Sequence, residues 1–400
     1  MNVSEILLLA IGALLTRVGL AMQVSGLSRS KNAGGATLRV LFDMVIATLV
    51  FWAFGASVLM VAPGSAQWID TSRLLGIGQP MDGRSLFYLT MILLASGIAV
   101  GAVVERSRFF VGIVAPLLLA GLIVPMLGRW TWNGWLTDRG VLDVGGAGAV
   151  HVAGAVVALV LAKLVGPRGN KFNRDGSSNM IPGHNLPMAT IGYFVMLVAW
   201  VPYLLGAALL HGGNVAPVAM NVLLSGSAGA LSGLLVGKIR YGKPELMLTF
   251  AGLLTGLVAV SAGAGNIPSW GAVVTGAVAG LIVPTIITWL DLRLRIDDPA
   301  GLIAIHLTGG AWGLVAAALF HATPLALKLK ALGAAGLTLG AVVVFTLVVS
   351  GVVFGLLHKT VGLRSKEVDE FDGLDLAEHD LNAFPDFQQT TIKSYHLREA

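Results

Sequence analysis

Leu142-Asp-Val-Gly-Gly-Ala-Gly-Ala-Val-His151 and Asp297-Asp-Pro-Ala-Gly-Leu-Ile-Ala-Ile-His306 share one spacing: an aspartate is followed eight residues later by a histidine inside an apolar run. Asp143 leads to His151, and Asp298 leads to His306. In a helix rising about 1.5 Å per residue, eight residues carry each imidazole roughly 12 Å beyond its carboxylate. If the two runs enter a hydrocarbon layer about 30 Å thick from opposite faces, the rings arrive at nearly the same depth. The spacing therefore predicts two inverted halves with a site at the membrane centre, a plan that recurs among transporters.

The rest of the chain agrees with a membrane setting. Of 400 residues, 56% are apolar and 12% charged, and the mean hydropathy is +0.82; in soluble domains about a quarter of residues carry charge. Apolar runs recur near 4–26, 37–62, 85–104, 109–128, 144–165, 187–210, 216–237, 245–263, 270–290, 301–322 and 331–357. These are eleven candidate transmembrane helices, so the expected fold class is an all-α polytopic membrane protein rather than an anchored soluble domain or a β-barrel. Lys and Arg gather on every second connection and in the tail, which hold 19 of the 26, against six on the opposite loops. That bias places the N-terminus outside and the C-terminus inside. Without a small-residue cleavage motif behind it, the first run is expected to stay as a span. An odd count in this orientation fits two inverted five-helix repeats plus a final helix.

A membrane domain is expected over 1–360 and a cytoplasmic C-terminal tail over 361–400, where Glu367, Asp369, Glu370, Asp372, Asp375, Glu378 and Asp380 turn the composition acidic. The absence of cysteine excludes disulfides, thiolate metal sites and cysteine nucleophiles. No P-loop, paired catalytic carboxylates or cofactor loop is present, so neither an enzyme nor a cofactor is expected. In this composition the net charge of +5 reports loop topology and not nucleic-acid binding.

A histidine within a span is costly, which makes function its default reading. Two at mirrored depth could accept and return a proton, with dry surroundings disfavouring the imidazolium. The alternative is a structural pair hydrogen-bonded to backbone carbonyls. No third His, Cys or carboxylate shares that depth, so a metal site is not expected. Arg17 and Asp43, charges inside the first two spans, are expected to pair. Many of the 52 glycines lie within the spans and allow close helix approach. Asp143 reads as a helix N-cap, Trp312 as packing, and Trp130, Trp132 and Trp135 as candidates for an interfacial belt.

Further stretches add to the histidine runs: Arg-Ser-Lys-Asn at 29–32, Glu-Arg-Ser-Arg-Phe at 105–109, His-Asn-Leu-Pro-Met at 184–188 and Gly-Leu-Asp-Leu-Ala-Glu-His at 373–379. In this order and spacing the chain resembles the ammonium transporter (Amt/Mep/Rh) family, in a bacterial Amt-like form with a divergent pore gate. The resemblance implies a homotrimer in the plasma membrane (the bacterial inner membrane), with one narrow apolar pore per subunit and His151 and His306 as its twin histidines. Ammonium is hydrated about as strongly as potassium, so deprotonation before the pore supplies the selectivity.

The same resemblance implies that Trp132, or its neighbour Trp130, recruits the cation over an aromatic face, with Asp143 adding negative potential. It also implies two stacked phenylalanines above the histidines. Spacing from Glu105 puts Met91 at one of these positions, with Phe87 a turn earlier, and spacing from Trp200 puts Tyr203 at the other. Ala207 stands in place of the hydroxyl residue that would hold the cation, and Gly301 where many relatives carry an acid. Gly373, Asp375, Glu378 and His379 correspond to a regulatory tail that docks over 362–379 and can be contacted by a PII-type signalling protein, with 385–400 left open. Ammonium transport, as ammonia with or without the proton, is the expected function. An ammonium sensor with little or no flux and a neutral-gas channel are the alternatives.

Overall fold

The computed structural model describes residues 3–65, 67–321 and 323–385. Among them regular structure is helical throughout, apart from isolated bridges pairing Ser107 with Arg364 and Phe172 with Ser178. The first five major helices are α1 (Val3–Leu27), α2 (Ala33–Val50, continued through a wide π turn at Phe51–Gly55 to Ala56–Leu59), α3 (Gly83–Gly101), α4 (Val111–Leu118, continued through Leu119–Ile123 to Val124–Trp132) and α5 (Ala147–Val165). They are followed by α6 (Leu186–His211), α7 (Val218–Tyr241), α8 (Leu246–Val260), α9 (Ser269–Leu292), α10 (Leu302–Phe320) and α11 (Leu325–Thr360). Two short helices, α12 (Glu367–Asp372) and α13 (Leu374–His379), form the tail. Ten of these helices are long and apolar enough to cross a membrane, and α8, with 15 residues, is shorter and stands where the eighth run was expected.

Helix contacts are made by removing side chains. Where α1 crosses α6, a Cβ on Gly19 would lie 2.6 Å from the Gly192 carbonyl oxygen, and one on Gly192 would lie 2.5 Å from that of Gly19. The two backbones touch, as small-residue seams allow in lipid. These are the leading helices of the two expected halves. The last helix is different: α11 has 36 residues and is about 54 Å long, well beyond the apolar layer. It buries only one stripe, Ala334, Ala335, Thr338, Val342, Thr346, Ser350 and Phe354, while Val344, Val348 and Val352 face outward.

Arg17 and Asp43 do form an ion pair, completely enclosed between α1, α2 and α3. The guanidinium also donates to the Leu93 and Val40 carbonyls, both at 2.8 Å, and Ser96 donates its hydroxyl proton to the Asp43 carboxylate. Nearly every polar atom of these charges is answered, as a dry interior requires. The pair fixes the helix that carries Phe87.

Candidate functional site

The two histidine helices open on the same turn. The Asp143 carbonyl accepts from the Gly146 N–H at 3.2 Å, and the Asp298 carbonyl from the Gly301 N–H at 3.1 Å. Gly146 and Gly301 have φ of 73° and 68°, a left-handed conformation that glycine adopts without steric cost. Each carboxylate then reaches six residues forward, Asp143 Oδ2 to the Ala149 N–H and Asp298 Oδ2 to the Ala304 N–H, both at 3.0 Å. Asp143 is therefore not the N-cap residue, which is Gly146. It acts from three residues upstream on the free N–H groups of the first turn, where the positive helix end favours an anion. Gly301 has a local explanation too: the mirrored turn needs a left-handed residue there.

From these turns α5 and α10 each present a histidine as their fifth residue. The rings of His151 and His306 stack with centroids 5.0 Å apart and planes 12° apart. Both side chains are buried, and none of their four ring nitrogens has a hydrogen-bond partner among the described residues. A structural pair bonded to backbone carbonyls is thus excluded. Trp200 lies nearly parallel to His151 at 5.5 Å and donates its Nε1–H to Ser261 at 3.0 Å. Unanswered ring nitrogens in a dry wall can exchange a hydrogen bond or a proton with a small solute, but cannot replace the hydration shell of an ion.

At the end opposite the tail, Tyr203 tilts over His151 at 6.4 Å and stacks on Phe87 with centroids 6.3 Å apart. Phe87, and not Met91, is the ring facing Tyr203. The phenyl group lies over Gly206, where a Cβ would come 2.7 Å from its Cζ, and Met91 is enclosed one turn deeper. The Tyr203 hydroxyl donates to the Gly145 carbonyl at 2.9 Å. Ala207, one turn further along α6, is buried and brings no polar atom.

One more turn along the same helix is His211, which sequence reasoning missed because it lies past the apolar run. Its ring stacks on Trp132 at 4.8 Å, and Tyr88 stacks on the same indole at 5.5 Å. His211 Nδ1 lies 2.6 Å from the Val144 carbonyl, and Nε2 lies 3.3 Å from the Tyr88 hydroxyl. A carbonyl can only accept, so Nδ1 carries the proton and Nε2 accepts from Tyr88. Its place one turn beyond Ala207 was the available signal. Trp130, by contrast, packs edge-on against Phe345 and Trp135, and Trp312 donates to the Thr275 carbonyl at 2.9 Å. Of the candidates for recruitment, only Trp132 stacks with His211 and Tyr88.

At the tail end, buried charges form a connected frame. Glu105 accepts from Arg29 Nε at 2.9 Å, Asn32 Nδ2 at 3.0 Å and Arg168 Nη1 at 2.6 Å. Arg168 grips the Asp297 carboxylate through Nε and Nη2, at 2.9 and 3.0 Å. Burial pushes both carboxyls up, but Arg106 and Arg168 outweigh it at Asp297, holding it at about 2, and Arg168 and Arg29 hold Glu105 below its usual range. The tail closes on this frame. Asp375 accepts from the Gly34 and Gly35 N–H groups at 2.8 and 2.7 Å, Glu378 pairs with Arg39, and Glu370 accepts from the Gly169 N–H at 2.7 Å. Gly373, with φ of 113°, turns the chain between α12 and α13, and His379 meets Phe109 edge-on at 5.5 Å. Because Asp297 adjoins Asp298, contacts run from the tail to the turn below His306.

Comparison with known proteins agrees with this geometry. The sequence profile of the Ammonium Transporter Family matches residues 5–384. The chain is 33% identical to the ammonium transporter Amt2 of Archaeoglobus fulgidus over 404 residues, covering 93% of this chain and 85% of that protein. It superposes on the solved structure of a sensor Amt protein with a TM-score of 0.87 and 28% identity, covering 95% and 98% of the two chains. The fold is also that of Saccharomyces cerevisiae Mep2, with a TM-score of 0.78, 22% identity and coverage of 91% and 87%.

Proposed function

The chain belongs to the ammonium transporter family and is a multi-pass protein of the plasma membrane, and from that premise we propose that it conducts ammonium-derived nitrogen past His151 and His306. The cation gathers at the mouth bordered by Trp132, Tyr88 and His211, where aromatic faces attract it and the nearby Asp143 carboxylate adds negative potential. Passage beyond Phe87 and Tyr203 requires loss of a proton, because the buried wall there offers rings and methyl groups to an ion that would have to shed its water. Ammonia then crosses along the two imidazoles, whose free nitrogens accept from and donate to it in turn. Whether the proton follows through the same pair sets whether the flux carries charge.

The observation that carries this reading is the stacked, buried histidine pair whose four ring nitrogens have no partner among the described residues. As in the family, the working unit is taken to be a homotrimer, the described tail being its regulatory arm and the docking place for a PII-type protein. A second reading is favoured by the match to a sensor Amt protein and by the hydroxyl latch of Tyr203 across the mouth: the chain binds ammonium and reports it with little flux. Currents from proteoliposomes on a solid-supported membrane separate the two. Transport predicts an ammonium-evoked current that His151→Ala or His306→Ala abolishes or opens to potassium. Wild-type currents and selectivity in both variants would refute the role of the pair, and ammonium binding with neither a current nor an ammonia-driven rise of luminal pH in the unmodified protein would establish the sensor.

A further inference from the structure

The mouth formed by Phe87 and Tyr203 has a counterpart at the tail end, which the sequence did not reveal. Phe250 is the fifth residue of α8, as Phe87 is of α3. Tyr203 donates to the carbonyl of Gly145, two residues after Asp143; Gln23, near the far end of α1, donates Nε2–H to the carbonyl of Ala300, two residues after Asp298, at 2.9 Å. Phe250 stacks on Tyr193 with centroids 5.1 Å apart, and the Tyr193 hydroxyl accepts from the same Gln23 amide at 2.9 Å. The two mouths are thus alike in helix position, aromatic pairing and the carbonyl that is held.

They differ in what remains unanswered. At the outer turn both Asp143 oxygens accept from backbone N–H groups of Gly148 and Ala149. At the tail-end turn Asp298 Oδ2 is taken by the Ala304 N–H and the Ile303 N–H also faces the carboxylate, while Oδ1 is buried and lacks a well-aligned partner among the described residues. Gln23 is completely buried, and because the Ala300 carbonyl can only accept, the atom facing it must be the amide nitrogen. Gln23 Oε1 is therefore left as a second buried acceptor without a partner among the described residues. Native interiors rarely leave such atoms orphaned, since each forfeits the hydrogen bonds it had in water.

Gln23, which holds the Ala300 carbonyl and the hydroxyl of the stacked Tyr193, and Asp298, two residues before Ala300, thus each keep an oxygen available. That set has acceptors and π faces to offer, and the described partners of Gln23 already use both of its N–H bonds. It suits a small cation whose surface consists of N–H donors. We propose that Gln23, Asp298 and the Phe250–Tyr193 pair form a second ammonium site at the tail-end mouth, separate from the recruitment site by Trp132. The proposal rests on the transport reading and deepens it: the pore has a built binding site at each end, and the inner one sets the affinity for ammonium presented from the tail side.

The test uses full-length protein in proteoliposomes sorted into tail-in and tail-out preparations, whose sidedness is scored by protease cleavage of the tail. Half-saturating ammonium is read from currents with ammonium chloride added to the bathing side. With Gln23→Leu the value should rise about tenfold to a hundredfold when ammonium meets the tail side, the scale of one lost hydrogen bond to a cation, and move less than twofold from the other side. Phe250→Leu should shift the same side in the same direction, and supplies the measurement if Gln23→Leu fails to fold. Equal shifts on both faces, or none on the tail face, overturn the inner site while leaving transport intact. The absence of both an ammonium current and an ammonia-driven change of luminal pH in the unmodified protein, whichever side is tested, overturns the transport reading and this site with it.

Discussion

Trp132 and His211 hold neighbouring carbonyls with their ring nitrogens: the indole N–H donates to Asp143 at 2.8 Å, and the imidazole Nδ1–H donates to Val144 at 2.6 Å, while the rings stack at 4.8 Å. The pair fixes the turn from which Asp143 orders the first turn of α5 below it. Replacing His211 by Ala removes the stack and leaves the Val144 carbonyl without its donor, at a cost of about 1–3 kcal/mol. His211→Phe keeps the stacking surface and should recover part of that loss. Thermal unfolding in detergent should rank the melting temperatures wild type, His211→Phe, His211→Ala. Equal stability of all three would show that the turn does not depend on this contact.

Tyr203 joins a ring to a latch. The ring closes against Phe87, and the hydroxyl, bonded to the Gly145 carbonyl, resists any swing away from it. Tyr203→Phe keeps the ring and removes the latch, so ammonium current should increase several-fold, with selectivity over potassium retained because the histidine pair is unaltered. The cost in stability should be about 1 kcal/mol, typical of one hydrogen bond. An unchanged or smaller current would mean that the hydroxyl does not hold the mouth shut.

How much of this was legible in the sequence varied with the range of the determining forces. The histidine pair could be read because helical rise is fixed, and eight residues after Asp143 and after Asp298 have to reach similar depths. The pairing of Arg17 with Asp43 followed from the cost of charge in lipid. Sequence spacing narrowed the partner of Tyr203 to Met91 or Phe87 but could not choose, because the axial offset between α3 and α6 depends on Gly206 receiving the Phe87 ring, a contact between distant segments. Asp143 was misplaced by one turn for a local reason: Gly146 takes the left-handed position, and a carboxylate can then cap from outside the helix. Gln23 and His211 escaped notice since a neutral polar residue at the end of an apolar run looks like an ordinary boundary.

The Arg17–Asp43 pair gives a test of whether its charges stabilise the bundle or only suit it. Removing one partner, as in Asp43→Asn, leaves the other buried and unpaired, a change that costs about 3–5 kcal/mol. A double replacement, Arg17→Met with Asp43→Leu, removes both charges and should recover much of that loss, since the desolvation penalty disappears along with the attraction. Stability as low in the double variant as in Asp43→Asn would locate the cost in lost packing, because Arg17 also fills the space beside Gly97.

Asp297 lies between the tail frame and the turn below His306, and its charge state should be visible in the pH dependence of stability. Burial opposes ionisation, yet Arg106 and Arg168 hold its carboxyl at about 2, below an unfolded value of 3.8. A depressed carboxyl contributes stability that is complete above the unfolded pKa and lost as pH falls through the folded one. For this group the loss runs from about pH 4 to about pH 2 and amounts to about 2 kcal/mol. Between pH 5 and pH 8 Asp297 therefore adds no slope to the stability curve. Asp297→Asn should lower stability across that whole range, by about 3–5 kcal/mol, because Arg106 and Arg168 remain buried with their shared carboxylate gone. The acid-side loss due to this group should vanish in the variant. Melting temperatures of both proteins from pH 3 to pH 8 provide the check, and a variant whose deficit grew with pH between 5 and 8 would assign the linkage to another group.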